Sequence, residues 1–304
     1  MSTRNRLRSA VAVALTATSA ALLTIGAATA ANAATAPKGL TISNGTKYVV
    51  INGKQVDFGV PVRDLAWSPD GSKAAFIDGA DGSLVVSAAN GSHRVVVAKN
   101  PGHQIWSHPT WQVAAADTRN HVPAKNNIIF AATKGGVATL QKVPATAVNG
   151  KPVKLPLNTF SGPDEDQLPQ TGNLWPNAGG KIGSIAYANT GTGDVYIRDE
   201  YLRQEGGSLT KGSQPALSPD GDKVVFVRSV DGHDHLFERD LHSQAPTDKD
   251  LTPGSTRNYV QPTWSPDGKT IAARTTGGIA TVPADGSAKP ALVSTHTGMP
   301  AFRR

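Results

Sequence analysis

The phrase Ser-Pro-Asp-Gly returns three times with matching flanks, and this repetition restricts the possible folds more than any other feature. It occurs within "LAWSPDGSKAAF" at 65–76, "PALSPDGDKVVF" at 215–226 and "PTWSPDGKTIAA" at 262–273. Proline fixes φ, aspartate offers a side-chain acceptor and glycine allows positive φ, so each phrase predicts a tight turn between antiparallel strands. Three copies in one register predict a repeated β unit. The turn residues are Pro69, Asp70, Gly71, Pro219, Asp220, Gly221, Pro266, Asp267 and Gly268.

The large apolar residue before each turn gives an anchor from which the repeat length can be measured. The anchors are Trp67, Trp111, Trp175, Leu217, Trp264 and Phe302, separated by 44, 64, 42, 47 and 38 residues. A period of about 40–50 residues with several short strands per unit is typical of a β-propeller. The repeated tryptophans are large enough to fill the wedge between neighbouring sheets, so we predict that they are structural and buried.

Short β-branched runs such as "KVVFV" at 223–227 follow the turns, and no long stretch keeps helical periodicity. The phrase "QPTWSPDGKTIAA" and its partners at 63–77 and 214–228 resemble the WD-like Pro-Asp repeat of TolB-type six-bladed propellers. The units at 108–130 and 173–188 match it in part. The resemblance implies an all-β six-bladed propeller that binds partners of the cell envelope.

The two ends of the repeat region are complementary fragments of one unit. Residues 298–304 supply only an opening strand, whereas residues 39–60 contain three short strands with no opening strand before them. Joining the fragments gives one composite blade beside five internal blades. We therefore expect a single propeller domain at 39–304, closed by N- and C-terminal strands, after a short linker at 34–38.

Residues 1–33 have the features of a secretory signal peptide. Arg4, Arg6 and Arg8 precede an apolar run from Ala10 to Ala28, and Ala31-Asn32-Ala33 gives a small-x-small cleavage pattern. We predict cleavage after Ala33, a secreted or extracytoplasmic protein, no remaining membrane span and a monomer; the alternative is an uncleaved membrane anchor. Without the three arginines the net charge falls from +7 to +4, with both signs interspersed, so no nucleic-acid partner is expected.

No catalytic motif is present in the sequence. A Gly-x-Ser-x-Gly nucleophile turn and a phosphate-binding glycine loop are both missing, and there is no cysteine. His233 and His235 could present two imidazoles to a metal, and residues 162–167 could bind calcium. An ordinary hairpin tip and a solvated loop are the alternatives that the sequence favours. We therefore predict no catalytic residue, no metal and no cofactor.

The residues that begin each opening strand should border the central tunnel of the propeller. Asp64, His108, Gln214 and Gln261 lie three positions before their anchors, with Met299 in the composite blade. The preceding loops add Trp106, Arg257 and Tyr259, beside Arg63, His103 and Asn258. This mixture of aromatic, amide and basic groups suits a peptide or a carbohydrate at the tunnel mouth. The alternative is that these positions are polar because water fills the tunnel.

Two functional classes follow from these observations. The first is an exported, non-catalytic propeller that binds a protein, peptide or glycan at the cell envelope or outside the cell. The second is a small exported carbohydrate-active enzyme, a lyase or hydrolase, in which His103, His108 and His296 would converge with Asp64. Two long segments, 112–126 and 142–170, are predicted to protrude from the disc and to place a loop over a tunnel entrance.

Overall fold

The structure is a computed structural model that describes residues 34–157, 167–202 and 205–304. The leader at 1–33 and most of the acidic segment at 162–167 lie outside these residues. The described chain forms strands and turns without any helix, arranged as six four-stranded antiparallel sheets. The predicted all-β six-bladed propeller is confirmed. Within the described ranges, no helix has the length and apolar character needed to cross a membrane.

The composite blade and the first two internal blades hold the strands β1 to β11 in chain order. They are β1 (Leu40–Ser43), β2 (Tyr48–Ile51), β3 (Lys54–Asp57), β4 (Val62–Trp67), β5 (Lys73–Asp78), β6 (Leu84–Ala88), β7 (Val95–Ala98), β8 (Ile105–Ala114), β9 (Lys125–Lys134), β10 (Val137–Pro144) and β11 (Val153–Lys154). The first blade spans 62–98 and the second blade spans 105–154. Each internal blade begins with its innermost strand.

The remaining three internal blades, and the strand that closes the ring, hold β12 to β24. They are β12 (Asn173–Gly179), β13 (Ser184–Asn189), β14 (Asp194–Arg198), β15 (Gly206–Lys211), β16 (Ser213–Leu217), β17 (Lys223–Val230), β18 (His233–Asp240), β19 (Asp248–Asp250), β20 (Val260–Trp264), β21 (Thr270–Thr275), β22 (Gly278–Pro283), β23 (Ala291–Ser294) and β24 (Met299–Phe302). The third, fourth and fifth blades span 173–211, 213–250 and 260–294.

Ring closure occurs as the two end fragments predict. Strand β24 pairs antiparallel with β1, in the register Leu40↔Phe302 to Ser43↔Met299, and the composite sheet has the order β24-β1-β2-β3. The innermost strand therefore comes from the C-terminal segment and the other three come from the N-terminal segment. Closure of this kind removes two sheet edges that would otherwise be exposed.

The three Ser-Pro-Asp-Gly turns share one hydrogen-bond pattern. In the first, the Ser68 hydroxyl donates to Asp70 Oδ1 at 2.5 Å and accepts the Lys73 N–H at 3.0 Å. The Ser72 N–H donates to Asp70 Oδ1 at 3.0 Å, and Gly71 has φ +69°. These bonds hold the pKa of Asp70 down to about 2, chiefly through the Ser68 hydroxyl. The carboxylate therefore stays ionised and fixes the turn between the two innermost strands.

Three of the predicted anchors are buried between blades, as expected. Trp67, Trp111 and Trp264 are 8%, 7% and 7% exposed. The indole N–H of Trp111 donates to Ala66 O at 3.2 Å, and that of Trp264 donates to Ala216 O at 2.9 Å. Each acceptor lies on the innermost strand of the preceding blade, one residue before that blade's anchor. The tryptophans therefore hold neighbouring blades together by packing and by a hydrogen bond.

Trp175 is not an anchor, and this assignment is corrected. Its backbone lies in the left-handed region (φ +51°), and the residue aligned with Trp67 is Ala178. Here the bond between blades runs in the other direction, because the Ala178 N–H donates to Thr110 Oγ1 of the preceding blade at 3.0 Å. Likewise the Leu217 N–H donates to Asn177 Oδ1 at 2.8 Å. At Ala178 and Leu217, which replace tryptophan, a polar side chain of the preceding blade makes the connection.

The two faces of the disc carry different connections, because successive strands run in opposite directions. One face, the turn face, carries the Ser-Pro-Asp-Gly turns and the loops between third and fourth strands. The other, the linker face, carries the segments that enter each innermost strand, such as 58–61 and 251–259. Strands β8 and β9 are ten residues long, so their hairpin extends from the turn face as an arm at 112–126.

The second long segment is less of an insertion than predicted. Residues 142–154 complete β10 and form β11, so they belong to the second blade. Leu155, Leu157 and Leu168 are 1%, 1% and 7% exposed and pack in one core cluster with Tyr187. The apolar spacing of these leucines explains the difference, since they fill space between the second and third blades. Residues 158–166 lie outside the described residues.

Candidate functional site

A β-bulge recurs at one position of the innermost strand in all five internal blades. The pairing with the second strand skips two residues, for example between Ser107 and Thr110 and between Val260 and Thr263. The first skipped residue has positive φ, although none of the five is glycine. These residues are Asp64 (φ +54°), His108 (+51°), Trp175 (+51°), Gln214 (+50°) and Gln261 (+54°). Such a conformation is strained by about 1–3 kcal/mol per residue, so the surrounding sheet must impose it.

The second bulge residue is proline in four of these blades, and the composite blade has proline at the aligned position. The five are Pro109, Pro176, Pro215, Pro262 and Pro300. A bulge leaves a backbone N–H without a partner on the next strand, and proline has no N–H to leave unpaired. The bulge changes the direction of the side chain at its positive-φ residue. The predicted positions Asp64, His108, Gln214 and Gln261 therefore occupy one ring. We call this set, together with Trp175 and Met299, the axial ring.

A cavity of about 410 Å³ lies between the axial ring and the turn face. All six blades contribute to its wall. The apolar part is supplied by the prolines of the bulges and turns with Trp175 and Met299, and the polar part includes His108, Gln214 and Gln261. No acidic side chain is present among the described residues that line it. Exposed Pro69, Lys181 and Pro219 stand at its outer end, so the cavity opens at the turn face.

His108 is the polar group of the cavity that most needs a partner. Both of its ring nitrogens are buried, and no described residue hydrogen-bonds to either of them. Burial lowers the pKa of His108 below its ordinary value of 6.5, and the nearby Asp64 carboxylate opposes part of that change. The neutral ring holds one donor and one acceptor. Trp175 approaches it edge to face, with 6.1 Å between ring centroids.

The other predicted ring members are held by hydrogen bonds within the ring. The backbone N–H of His108 donates to Asp64 Oδ2 at 3.1 Å. The Asp64 carboxylate therefore supports the axial ring and does not line the cavity. The Gln261 N–H donates to Gln214 Oε1 at 2.7 Å, and Arg274 Nε donates to Gln261 Oε1 at 2.8 Å. The acceptor oxygens of both glutamines are therefore engaged, and their amide N–H groups remain as donors.

Two residues predicted at the tunnel mouth lie elsewhere, and their assignments are corrected. Trp106 and Tyr259 are 3% and 5% exposed and belong to the cores between blades. Each lies two residues before an axial-ring position, where Val62 is also fully buried, so this position faces the core. Arg257 is exposed in the linker-face segment 251–259, away from the cavity lining.

The candidate metal ligands do not converge in the described part of the chain. No group of three or more His, Asp or Glu side chains there could hold a metal ion. His235 is 2% exposed, with Nδ1 2.8 Å from Asp250 Oδ2 and Nε2 3.0 Å from Ser255 O. The two nitrogens thus fasten the end of β19 and the segment that follows it. His103 and His296 are exposed and absent from the cavity lining.

Sequence reasoning missed Trp175, Lys181 and Val113 as cavity residues. Val113 belongs to the arm, lines the cavity and is 39% exposed. The arm is fixed to the third blade, because Gln112 Nε2 donates to Gly183 O at 3.1 Å and the Tyr201 hydroxyl donates to Asp117. The arm therefore forms a raised wall at one side of the cavity entrance. The residues of the long 112–126 segment thus do contribute to the entrance.

Comparison with known proteins shows the fold. No protein-family model and no curated protein matches the chain. A candidate TolB from Agrobacterium tumefaciens superposes with a TM-score of 0.57 at 17% identity, covering 87% of this chain and 89% of that one. TolB from Acinetobacter baumannii gives 0.58 at 16% identity, covering 87% of this chain and 65% of that one. The TolB-like propeller fold is thereby confirmed.

Enzymes share the same architecture. A gluconolactonase from Xanthomonas campestris superposes with a TM-score of 0.52 at 12% identity, covering 79% of this chain and 78% of that one. Since one propeller fold carries both enzymes and other proteins, function has to be argued from the site.

Proposed function

We propose that the protein is an exported, non-catalytic propeller that binds a segment of a protein, peptide or glycan partner at the cell envelope or outside the cell. The partner enters the central cavity from the turn face. The observation that carries this proposal is His108, whose buried donor and acceptor have no partner among the described residues. Leaving such groups unpaired costs about 1–3 kcal/mol each, so a ligand hydroxyl or amide that pairs with them is favoured.

The composition of the wall supports binding in preference to glycoside hydrolysis. Glycoside hydrolysis canonically uses two carboxyl groups at the scissile bond, and the described lining has no acidic side chain. Proline rings, Trp175 and Met299 give apolar surface against which a ligand can pack. His108 and the amide groups of Gln214 and Gln261 give directional polar contacts. Apolar walls with a few convergent polar groups are typical of ligand sites.

The arm supports recognition of a partner larger than the cavity. Val113 continues the cavity wall above the disc, and the contacts with Gly183 and Tyr201 hold the arm in a fixed position. A rigid wall loses little conformational entropy when a ligand binds. A partner segment seated in the cavity would therefore contact the arm without reordering it.

A binding survey with matched variants tests this proposal. Residues 34–304 are offered randomised peptides and a panel of neutral and acidic oligosaccharides, and the affinity of each hit is measured by calorimetry. Substituting His108 by asparagine removes the imidazole but keeps a residue that tolerates positive φ. We expect His108→Asn to weaken binding about tenfold or more, as for a central contact residue.

Arg257→Ala on the linker face is the control and should leave affinity unchanged. Hits that bind equally well to wild type and His108→Asn, but are lost in Arg257→Ala, would place the site on the linker face and contradict the proposal. Melting temperatures of all three proteins establish that each is folded.

A further inference from the structure

A second concave site lies on the turn face, between the third and fourth blades. Its volume is about 410 Å³, equal to that of the central cavity. The floor consists of four aliphatic side chains that are only partly buried, Ile182, Ile197, Leu209 and Leu241. Incompletely covered aliphatic groups gathered in a concave site favour an apolar ligand group. We call this site the blade groove.

Gly180 and Gly221 lie where the blade groove meets the central cavity. Gly180 and Lys181 line both sites. A Cβ built on Gly221 would stand 2.8 Å from the Cα of Gly180, and a Cβ on Gly180 would stand 3.1 Å from the Cα of Gly221. With φ of +70° and +85°, neither position favours another residue. The divider, which we call the glycine saddle, is therefore bare backbone at Gly180 and Gly221, with the exposed Lys181 beside it, and an extended chain can cross it.

The two sites differ in charge. Asp220 and Asp222 border the blade groove, whereas no acidic side chain lines the described wall of the cavity. The Ser218 hydroxyl, 2.5 Å from Asp220 Oδ1, keeps the pKa of Asp220 below its usual value, so this group is ionised. Asp222 Oδ1 lies 3.1 Å from the exposed His242 Nε2. Lys181 lines both sites, so the two carboxylates outnumber this lysine in the groove, whereas the charged side chains of the described cavity wall are basic alone. A cationic group of the ligand is thus favoured at the rim of the groove and not inside the cavity.

We infer that the partner segment is an extended polypeptide that runs from the central cavity across the glycine saddle and seats an aliphatic side chain, next to a lysine or arginine, in the blade groove. A polypeptide fits both features of the groove, because its side chains supply hydrocarbon for the floor and a cation for the carboxylates. Glycans offer mainly hydroxyl groups to such a floor. This inference rests on the proposed function, since the cavity is one end of the path.

Randomised peptides displayed on phage and selected on residues 34–304 provide the probe. We expect the selected sequences to share an aliphatic residue beside a lysine or arginine. The best peptide is then synthesised and its affinity measured. Asp222→Lys reverses a charge at the groove rim, and Leu241→Asp places a charge in the floor; each should weaken binding about tenfold or more. Asp285→Lys makes the same charge change in an exposed turn of the fifth blade, on the same face, and should have little effect.

The outcomes separate this inference from the proposed function. Weaker binding in both Asp222→Lys and His108→Asn supports the path across the saddle. Loss only in His108→Asn would overturn the groove and leave the cavity proposal intact. Loss only in the groove variants would overturn the path and count against the cavity. If Leu241→Asp fails to fold, the exposed Asp222→Lys variant still decides the matter. Selection of oligosaccharides but no peptides would overturn the polypeptide assignment alone.

Discussion

Replacing Trp264 by alanine should destabilise the ring by about 3–5 kcal/mol, the range for large-to-small changes in a packed core. Trp264 is 7% exposed and shares a core cluster with Leu251 and Tyr259, so alanine leaves a cavity between the fourth and fifth blades. The change also removes the donor to Ala216 O, a bond of 2.9 Å. Total stabilities of domains are typically about 5–15 kcal/mol, so the loss is a large fraction.

Trp264→Phe separates packing from hydrogen bonding. Phenylalanine keeps most of the ring volume but leaves Ala216 O without its donor, which should cost about 1–3 kcal/mol. Urea unfolding followed by far-ultraviolet circular dichroism gives the free energies, because this signal does not depend on the removed indole. Val153→Ala, at a site 55% exposed, is the control and should change stability by less than about 0.5 kcal/mol. A cost for Trp264→Ala below about 1 kcal/mol would refute the anchor role.

Three further expectations follow. Deleting 299–304 removes β24 from β1, so the truncated chain should lose its single cooperative unfolding transition in circular dichroism; retained cooperativity would contradict ring closure. Burial keeps the pKa of His108 below 6.5, so the unfolded chain binds more protons. The free energy of unfolding measured in urea should therefore decrease as the pH is lowered from about 7 to about 5, and this dependence should be weaker in His108→Asn. An equal pH dependence in wild type and variant would contradict the lowered pKa of His108. Exported protein should begin at Ala34 by N-terminal sequencing, and an intact leader would contradict cleavage.

Much of the fold could be predicted because the turn chemistry is local. A Ser-Pro-Asp-Gly turn is specified by its own four residues, so its register transfers directly from one blade to another. The composite blade could be predicted for the same reason. The repeat unit at 39–60 lacks an opening strand, and residues 298–304 supply one. The position of Trp175 could not be read in this way. Residue type suggested an anchor, whereas the backbone places it at a bulge.

The proline that follows the positive-φ residue in four of the five bulges would have given the correct register. Pro176 aligns with Pro109, Pro215 and Pro262, which puts Trp175 level with His108 and Gln214. Residue type misled because both positions accept a large aromatic group, one against the preceding blade and one toward the axis. The compensating polar bonds of Thr110 and Asn177 depend on the neighbouring blade, so they become visible only when the blades are assembled.

The candidate site could be predicted in part. Asp64, His108, Gln214 and Gln261 do form one ring, because they share the bulge position. Residues two apart normally share one side of a strand, but the positive-φ residue of the bulge breaks that alternation. Trp106 and Tyr259 therefore face the core although they lie two residues before His108 and Gln261. The blade groove had no sequence signal, since its floor combines side chains from different strands. The repeat pattern thus predicts the strands and turns, whereas contacts between blades determine which side chains line a cavity or a groove.

A structure of residues 34–304 with a bound partner segment tests the binding proposal most directly. We predict that the segment occupies the cavity on the turn-face side of Trp175, with one of its polar groups hydrogen-bonded to a ring nitrogen of His108. A partner seated on the linker face, with both His108 ring nitrogens still unpartnered, would contradict it.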